Sequence, residues 1–366
     1  MNKIIIYSFY IFSVVHSLFG EKDNLLYLRC AQTMGMIAFF RVAFLSYTNR
    51  IDLRVIRSGN AFKICFLAIF ATFGISLVNL RFNVFPIVYP VSFLSISILF
   101  LITNLKTNHF VYIALFVYAL FLFYHLQGDP AGDWVKGSRN YVSVLALYLA
   151  MIPLIQSIIN GEEKNLIVNI ILPIGALIFS IIAIGRSGIV VSGIYLVGNL
   201  YLYFINHRLR GIMLPTISVI GVFVFNQAYP LMELVRFDYL YKFQTKGLIL
   251  DARLDLITYY ISLIDFRTLI FSTPDLQLRE RMGMTLHNSY LSWHYQFGFF
   301  AFIILAITLK VCFFTVLRYK YLALLLVVIL VRSFSDQILL TDGILFGLPF
   351  ILSVTLAENY KLKRKK

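Results

Sequence analysis

Two histidines and an asparagine lie at the start of one apolar segment of the chain. His287 and Asn288 are adjacent, and His294 follows seven residues later, about two turns of a helix. Because an imidazole titrates near neutral pH, His287 is suited to act as a general base. The alternative is that it is a structural hydrogen-bonding group. His294 lies deeper in the apolar segment and ranks below His287 as a candidate.

Arginines near the ends of apolar segments form a second group of candidates. Arg186 lies in GRSG between two apolar segments, and its neighbouring glycines let a ligand or backbone approach closely. Arg253 lies in LDARLDLITYYISLID. The other candidates in predicted outer segments are Arg139, Arg279, Arg281 and Arg332. Guanidinium groups bind phosphate and diphosphate well, so these residues predict an anion-binding outer face. Alternatively, Arg186 snorkels to the interface and Arg253 pairs with a nearby aspartate.

Other kinds of site have weaker support in the sequence. Asp129 and Asp133 are possible ligands of a hard cation, but aspartates in a polar loop more often form turns. No HExxH, Walker A, GxSxG or GxGxxG motif occurs. The three cysteines, Cys30, Cys65 and Cys312, lie in or beside apolar runs without CxxC spacing. We therefore expect neither a metal nor a cofactor.

The composition is that of an integral membrane protein. Of 366 residues, 60% are hydrophobic and 13% are charged. Repeated apolar runs are long enough to cross a hydrocarbon core of about 30 Å as helices, the structure that satisfies the backbone in lipid. The net charge of +15 reflects Lys and Arg in short loops and in the tail KLKRKK. This distribution disfavours nucleic-acid binding.

We predict an all-α, polytopic membrane domain over residues 1–366 with about twelve spans. The spans are expected at 3–19, 28–48, 64–80, 84–103, 109–126, 141–159, 166–184, 188–206, 212–227, 293–317, 319–332 and 337–357. With both termini in the cytoplasm, the most basic short loops lie inside. Residues 228–292, between spans nine and ten, then form one large outer loop. Its segment 250–265 has the apolar stripe of an amphipathic helix, which lies on the membrane surface or caps a cavity.

These features resemble the O-antigen polymerase and O-antigen ligase superfamily, membrane glycosyltransferases of the class C type. The order of GRSG, a loop arginine early on a helix, and HNSYL before the next span is that of the family. Arg186, Arg253 and His287 match its functional positions. The topology is similar over the whole chain, and the motifs lie within roughly residues 180–300. Leu256 and Ile257 stand where the family often has a tryptophan after the loop arginine.

The resemblance implies a bacterial cytoplasmic membrane enzyme that acts at the outer face on an undecaprenyl-diphosphate-linked oligosaccharide. Arg186 and Arg253 would bind the diphosphate without a metal, and His287 would activate an acceptor hydroxyl for inverting attack. Glu21 and Asp23 are alternative bases, because class C enzymes often have an acidic residue in the first outer loop. The remaining candidates, Asn288, Arg139, Arg279, Arg281 and Arg332, would contribute to substrate binding.

The resemblance also implies protein partners and leaves the acceptor open. A flippase and a chain-length regulator would work with a polysaccharide polymerase. The moderate length and the 35 Phe and 23 Tyr residues favour the polymerases of the superfamily. The alternatives are a ligase that transfers the glycan to lipid A–core, and a flippase for lipid-linked oligosaccharides.

Overall fold

The described part of the chain is helical. The computed structural model describes residues 1–18, 25–51, 59–79, 85–127, 139–162, 165–183, 186–206, 251–272, 288–334, 340 and 344–363. Its helices are α1 Asn2–Leu18, α2 Leu25–Tyr47, α3 Asn60–Asn79, α4 Phe85–Ile102, α5 Thr107–Gln127, α6 Arg139–Asn160, α7 Leu172–Ile182, α8 Arg186–Asn206, α9 Asp251–Ser262, α10 Phe266–Phe271, α11 Ser289–Phe297, α12 Phe300–Val316, α13 Lys320–Ser333 and α14 Ile344–Lys363. A π-helical turn, Ile167–Ile171, leads directly into α7. These residues contain no strand, which confirms the all-α prediction for the part of the chain described.

The helices coincide with the apolar segments of the sequence. Four of the described helices are long and apolar enough to cross a membrane: Leu26–Tyr47, Asn60–Asn79, Tyr141–Asn160 and Ser187–Ile205. Several shorter apolar helices accompany them. The segment predicted as a span at 212–227 lies outside the described residues. The total of about twelve spans therefore stays a prediction.

The segment predicted as one span at 293–317 consists of two helices. α11 ends at Phe297, α12 begins at Phe300, and Gly298 between them has φ +51°. A Cβ atom at Gly298 would collide with the carbonyl oxygen of Ile270. Glycine is needed here because both the positive φ and the close contact exclude a side chain. The break was not predicted, because the largely apolar segment YQFGFFAF continues through it.

Helix α6 forms the centre of the bundle. Its most apolar stretch is 94% buried inside the protein, as expected for a helix that is apolar on every side. It packs against α5, α7, α8 and α14. Gly188 of α8 lies against Ser143 of α6, and Gly347 of α14 lies against Phe93 of α4. Small residues at such contacts let helices approach closely, as is typical of membrane bundles.

Hydrogen bonds between helices join ends that the predicted topology places on the same side. At one end, Arg332 near the end of α13 donates to Ser187 at the start of α8. At the other end, Asn160 at the end of α6 donates to Thr107 at the start of α5. Helices that alternate in direction through a bundle bring their ends together in this way. Which end faces outward stays a prediction.

Candidate functional site

A fully buried arginine joins three helices at one end of the bundle. Arg332 has no exposed surface. Its Nη1 donates to Ser187 Oγ at 2.6 Å, and its Nη2 donates to Ser143 Oγ at 3.2 Å. These two hydroxyls belong to α8 and α6. Burial of a charge carries a desolvation penalty of about several kcal/mol, which hydrogen bonds to the charged group offset. Arg332 is therefore held at a fixed position among α6, α8 and α13.

The GRSG motif packs directly on this arginine. α8 begins at Arg186, and the next residue is the serine that accepts from Arg332. A Cβ atom at Gly188 would stand 2.5 Å from Ser143 Oγ and 3.5 Å from Arg332 Nη1. The second glycine of the motif thus has a packing role between α6 and α8. From the sequence we had expected it to let a ligand or backbone approach closely, and in the folded chain its close neighbours are the side chains of Ser143 and Arg332.

Asn288 attaches the HNSYL motif to the end of α13. It is the N-cap of α11: its Oδ1 accepts from the backbone N–H groups of Tyr290 at 2.8 Å and Leu291 at 3.2 Å. Its Nδ2 donates to the carbonyl oxygen of Phe334 at 3.2 Å. The hydroxyl of Tyr290 donates to the carbonyl oxygen of Leu330 at 2.7 Å. The start of α11 is therefore bound to the turn of α13 that contains Arg332.

Four segments that are distant in the sequence thus meet at one end of the bundle. They contribute Ser143, Ser187, Asn288 and Arg332, and we call these four residues the polar junction. Ser187 and Arg332 are separated by 145 positions, and Ser143 and Arg332 by 189. Such contacts depend on the packing of the whole bundle, so they could not be predicted from the sequence.

The polar junction contains two of the predicted substrate-binding residues and adjoins three further candidates. Arg139 lies four positions before Ser143, one turn away in α6, and Arg186 directly precedes Ser187. His287 directly precedes Asn288. The backbones at 139 and 186 are described, whereas those two side chains and the whole of His287 lie outside the described residues. Three of the predicted arginines thus belong to helices that meet at one place.

The other predicted site residues are not positioned relative to the polar junction. The backbone of Arg253 is described in the first turn of α9, but its side chain is not. The remaining positions lie outside the described residues: Glu21, Asp23, Asp129, Asp133, Arg279 and Arg281. Among the residues that are described, no group of three or more His, Cys, Asp or Glu could hold a metal ion.

His294 forms a second polar cluster, which the sequence did not indicate. Its Nδ1 lies 2.8 Å from the hydroxyl of Tyr260, and its Nε2 lies 3.1 Å from the carbonyl oxygen of Leu269. A carbonyl can only accept, so Nε2 carries the proton and Nδ1 accepts from Tyr260. Burial lowers the pKa of His294, and the hydrogen bond to Leu269 opposes this effect. The neutral ring joins α9, α10 and α11.

The described residues form an α-helical bundle with four helices long and apolar enough to cross a membrane and with a buried arginine at one end. A scan against protein-family models, a search of curated proteins and a search of solved structures find no match to this chain. Its function is therefore inferred from the residues of the chain and from the way the helices bring them together.

Proposed function

We propose that this protein is a membrane glycosyltransferase, and specifically a polysaccharide polymerase. It joins oligosaccharide repeat units carried on undecaprenyl diphosphate at the outer face of the bacterial cytoplasmic membrane. Both termini lie in the cytoplasm, and a flippase supplies the lipid-linked units. The reaction needs no metal or cofactor, because arginine side chains supply the positive charge at the diphosphate.

The observation that carries this proposal is that GRSG and HNSYL both contact the end of α13, the helix that contains Arg332. Ser187 accepts from Arg332, and Asn288 donates to the residue that follows α13. Both motifs of the resemblance therefore belong to one polar junction, although they are about a hundred residues apart in the sequence. This arrangement favours a common task for the two motifs over two unrelated structural roles.

The proposed chemistry follows from the residue types at this junction. The hydroxyl of an acceptor sugar attacks C1 of the donor sugar, and the bond from C1 to the diphosphate oxygen breaks with inversion. His287 takes the hydroxyl proton, and undecaprenyl diphosphate leaves. Arg186 and Arg253 bind the diphosphate and stabilise the negative charge that develops on it, an effect of about 2.7–4 kcal/mol for one well-placed donor.

Within this mechanism, Arg332 acts as a positioning residue. Its guanidinium already donates to Ser143 and Ser187. It thereby holds the starts of α6 and α8, which carry Arg139 and Arg186, at a fixed separation. Arg139, Asn288, Arg279 and Arg281 contribute further contacts to the lipid-linked glycan.

Glycan length in cells tests the proposal. In a strain that lacks its own copy of the gene, we expect wild type to restore long glycan chains on gels. His287→Ala and Arg186→Ala should leave a single repeat unit attached to the final acceptor, because elongation is lost while transfer continues. Arg318→Gln, at an exposed arginine that follows α12, is the matched control and should retain long chains.

Two other outcomes would contradict the assignment, provided that all variants insert into the membrane at wild-type levels. Loss of every attached glycan, with long lipid-linked chains accumulating, would indicate the ligase. Normal long chains from both His287→Ala and Arg186→Ala would exclude their catalytic role and favour a transporter.

A further inference from the structure

The short helix α10 lies across the ends of two apolar helices. Asn79, the last residue of α3, donates through Nδ2 to the carbonyl oxygen of Phe271 at 2.8 Å. The backbone N–H of Phe299, just before α12, donates to the carbonyl oxygen of Ile270 at 3.0 Å. The hydroxyl of Ser272 donates to the carbonyl oxygen of Tyr295 at 2.6 Å. α10 is therefore fixed at the level where α3 ends and α12 begins.

The start of α10 is fixed by a reciprocal cap. Asp265 Oδ1 accepts from the backbone N–H of Thr268 at 2.7 Å, and the backbone N–H of Asp265 donates to Thr268 Oγ1 at 2.6 Å. This capping box satisfies two donors that a helix start otherwise leaves unpaired. It keeps a helix of only six residues in one orientation.

Three apolar side chains of α10 are exposed. Phe266 is 81% exposed, and Leu269 and Phe271 are each exposed by more than a third. Transfer of a large apolar side chain from water to an apolar environment is favourable. A fixed helix that exposes three such side chains therefore has a strong tendency to contact an apolar phase.

These exposed side chains lie where the apolar surface of α3 ends. α3 exposes Phe66, Phe70, Phe73 and Leu77, each by more than half, at i, i+4, i+7 and i+11. This spacing forms one stripe on a helix that is long and apolar enough to cross a membrane, so the stripe faces lipid. The stripe ends beside Asn79, the residue that binds the carbonyl of Phe271.

We propose that α10 lies in the boundary between headgroups and acyl chains, with Phe266, Leu269 and Phe271 in contact with lipid. Interfacial helices place their apolar side about 5–10 Å into this boundary. The exposed Arg267 beside Phe266 is then at the level of the lipid phosphates. Through its cap and its contacts with α11, α10 sets the height of the neighbouring helix α9 above the membrane. This inference does not depend on the proposed function.

Spin-label accessibility tests the lipid contact. The full chain, with Cys30, Cys65 and Cys312 replaced by alanine, receives a single cysteine and a nitroxide. It is then reconstituted in vesicles of phosphatidylethanolamine and phosphatidylglycerol. Oxygen is enriched in the hydrocarbon, and the nickel chelate NiEDDA is enriched in water. We expect the ratio of oxygen to NiEDDA accessibility at Phe266→Cys and Leu269→Cys to be intermediate.

Two reference positions define the scale of this measurement. Phe70→Cys, on the exposed stripe of α3, should give the highest ratio. Thr258→Cys, at an exposed polar position of α9, should give the lowest ratio. Ratios at 266 and 269 equal to that at 258 would overturn the proposal, because α10 would then lie in water. Exclusion of both reagents at 266 and 269 would overturn it as well, because protein would then cover the helix.

Discussion

At the scale of the residue, the most informative side chain is Arg332. From the sequence it was one of several arginines near predicted outer ends, and no motif distinguished it. In the folded chain it is fully buried and donates to hydroxyls of two other helices. A charge within a span costs about 3 kcal/mol on insertion scales, and the two hydroxyls that accept from Arg332 offset this cost.

The second informative residue is His294, and it leads to a pH prediction. Its pKa in the folded protein is below the ordinary value of 6.5. The unfolded chain therefore binds a proton more readily, so stability should fall as the pH decreases through about 6.5 toward the lower folded value. The groups around the ring are Tyr260, the carbonyl of Leu269 and Phe302.

Thermal unfolding in detergent at a series of pH values checks this prediction. We expect a decrease in Tm from about pH 7.5 to about pH 5.5 that is smaller in His294→Gln than in wild type. His109→Gln is the matched control. The Nδ1 atom of His109 is also hydrogen-bonded to a tyrosine hydroxyl, that of Tyr7, but His109 is exposed. An equal decrease in wild type and in His294→Gln would contradict the assignment to His294.

At the scale of the element, close packing at glycines determines how the helices meet. α8 contains both Gly188, which faces Ser143 and Arg332, and Gly193, which has no atom within 4 Å of its added Cβ. Replacing each of these glycines by alanine therefore distinguishes the effect of close packing on stability from the effect of helix propensity.

We predict that Gly188→Ala destabilises the protein by about 1–3 kcal/mol, because its methyl group overpacks the contact with α6. Gly193→Ala should be neutral or stabilising by up to about 1 kcal/mol, because alanine is the better helix former. Tm values of the purified variants in one detergent measure the difference. Equal Tm values for the two variants would show that α6 and α8 are not in close contact at Gly188.

The helices themselves were largely predictable from the sequence, and their contacts were not. Apolar runs of membrane-crossing length must be helical, and for this reason α6 and α8 were predicted within two residues of their observed ends. The break at Gly298 was missed, because it depends on the carbonyl of Ile270 from another helix. The polar junction was missed for the same reason: Ser143 and Ser187 are ordinary small residues until α13 packs against them.

At the scale of the whole molecule, the polar groups suited to chemistry lie near one end of the bundle. The polar junction, the His294 cluster and α10 are linked through α11, which is capped by Asn288 and contacts the carbonyl of Leu269 through His294. The proposed catalytic end therefore adjoins the proposed lipid contact. A lipid-linked diphosphate has its phosphates at the membrane surface, so this proximity suits such a substrate.

The most direct measurement of the central claim is elongation by the purified protein. In lipid nanodiscs, wild type is supplied with undecaprenyl-diphosphate-linked repeat units, and chain length and released undecaprenyl diphosphate are measured. We predict chains of two or more units, an elongation rate about 100-fold lower in Arg186→Ala, and an intermediate rate in Ser187→Ala. Arg318→Gln should equal wild type. A folded wild-type protein that produces no chain longer than one unit, or an Arg186→Ala variant with the wild-type rate, would contradict the account.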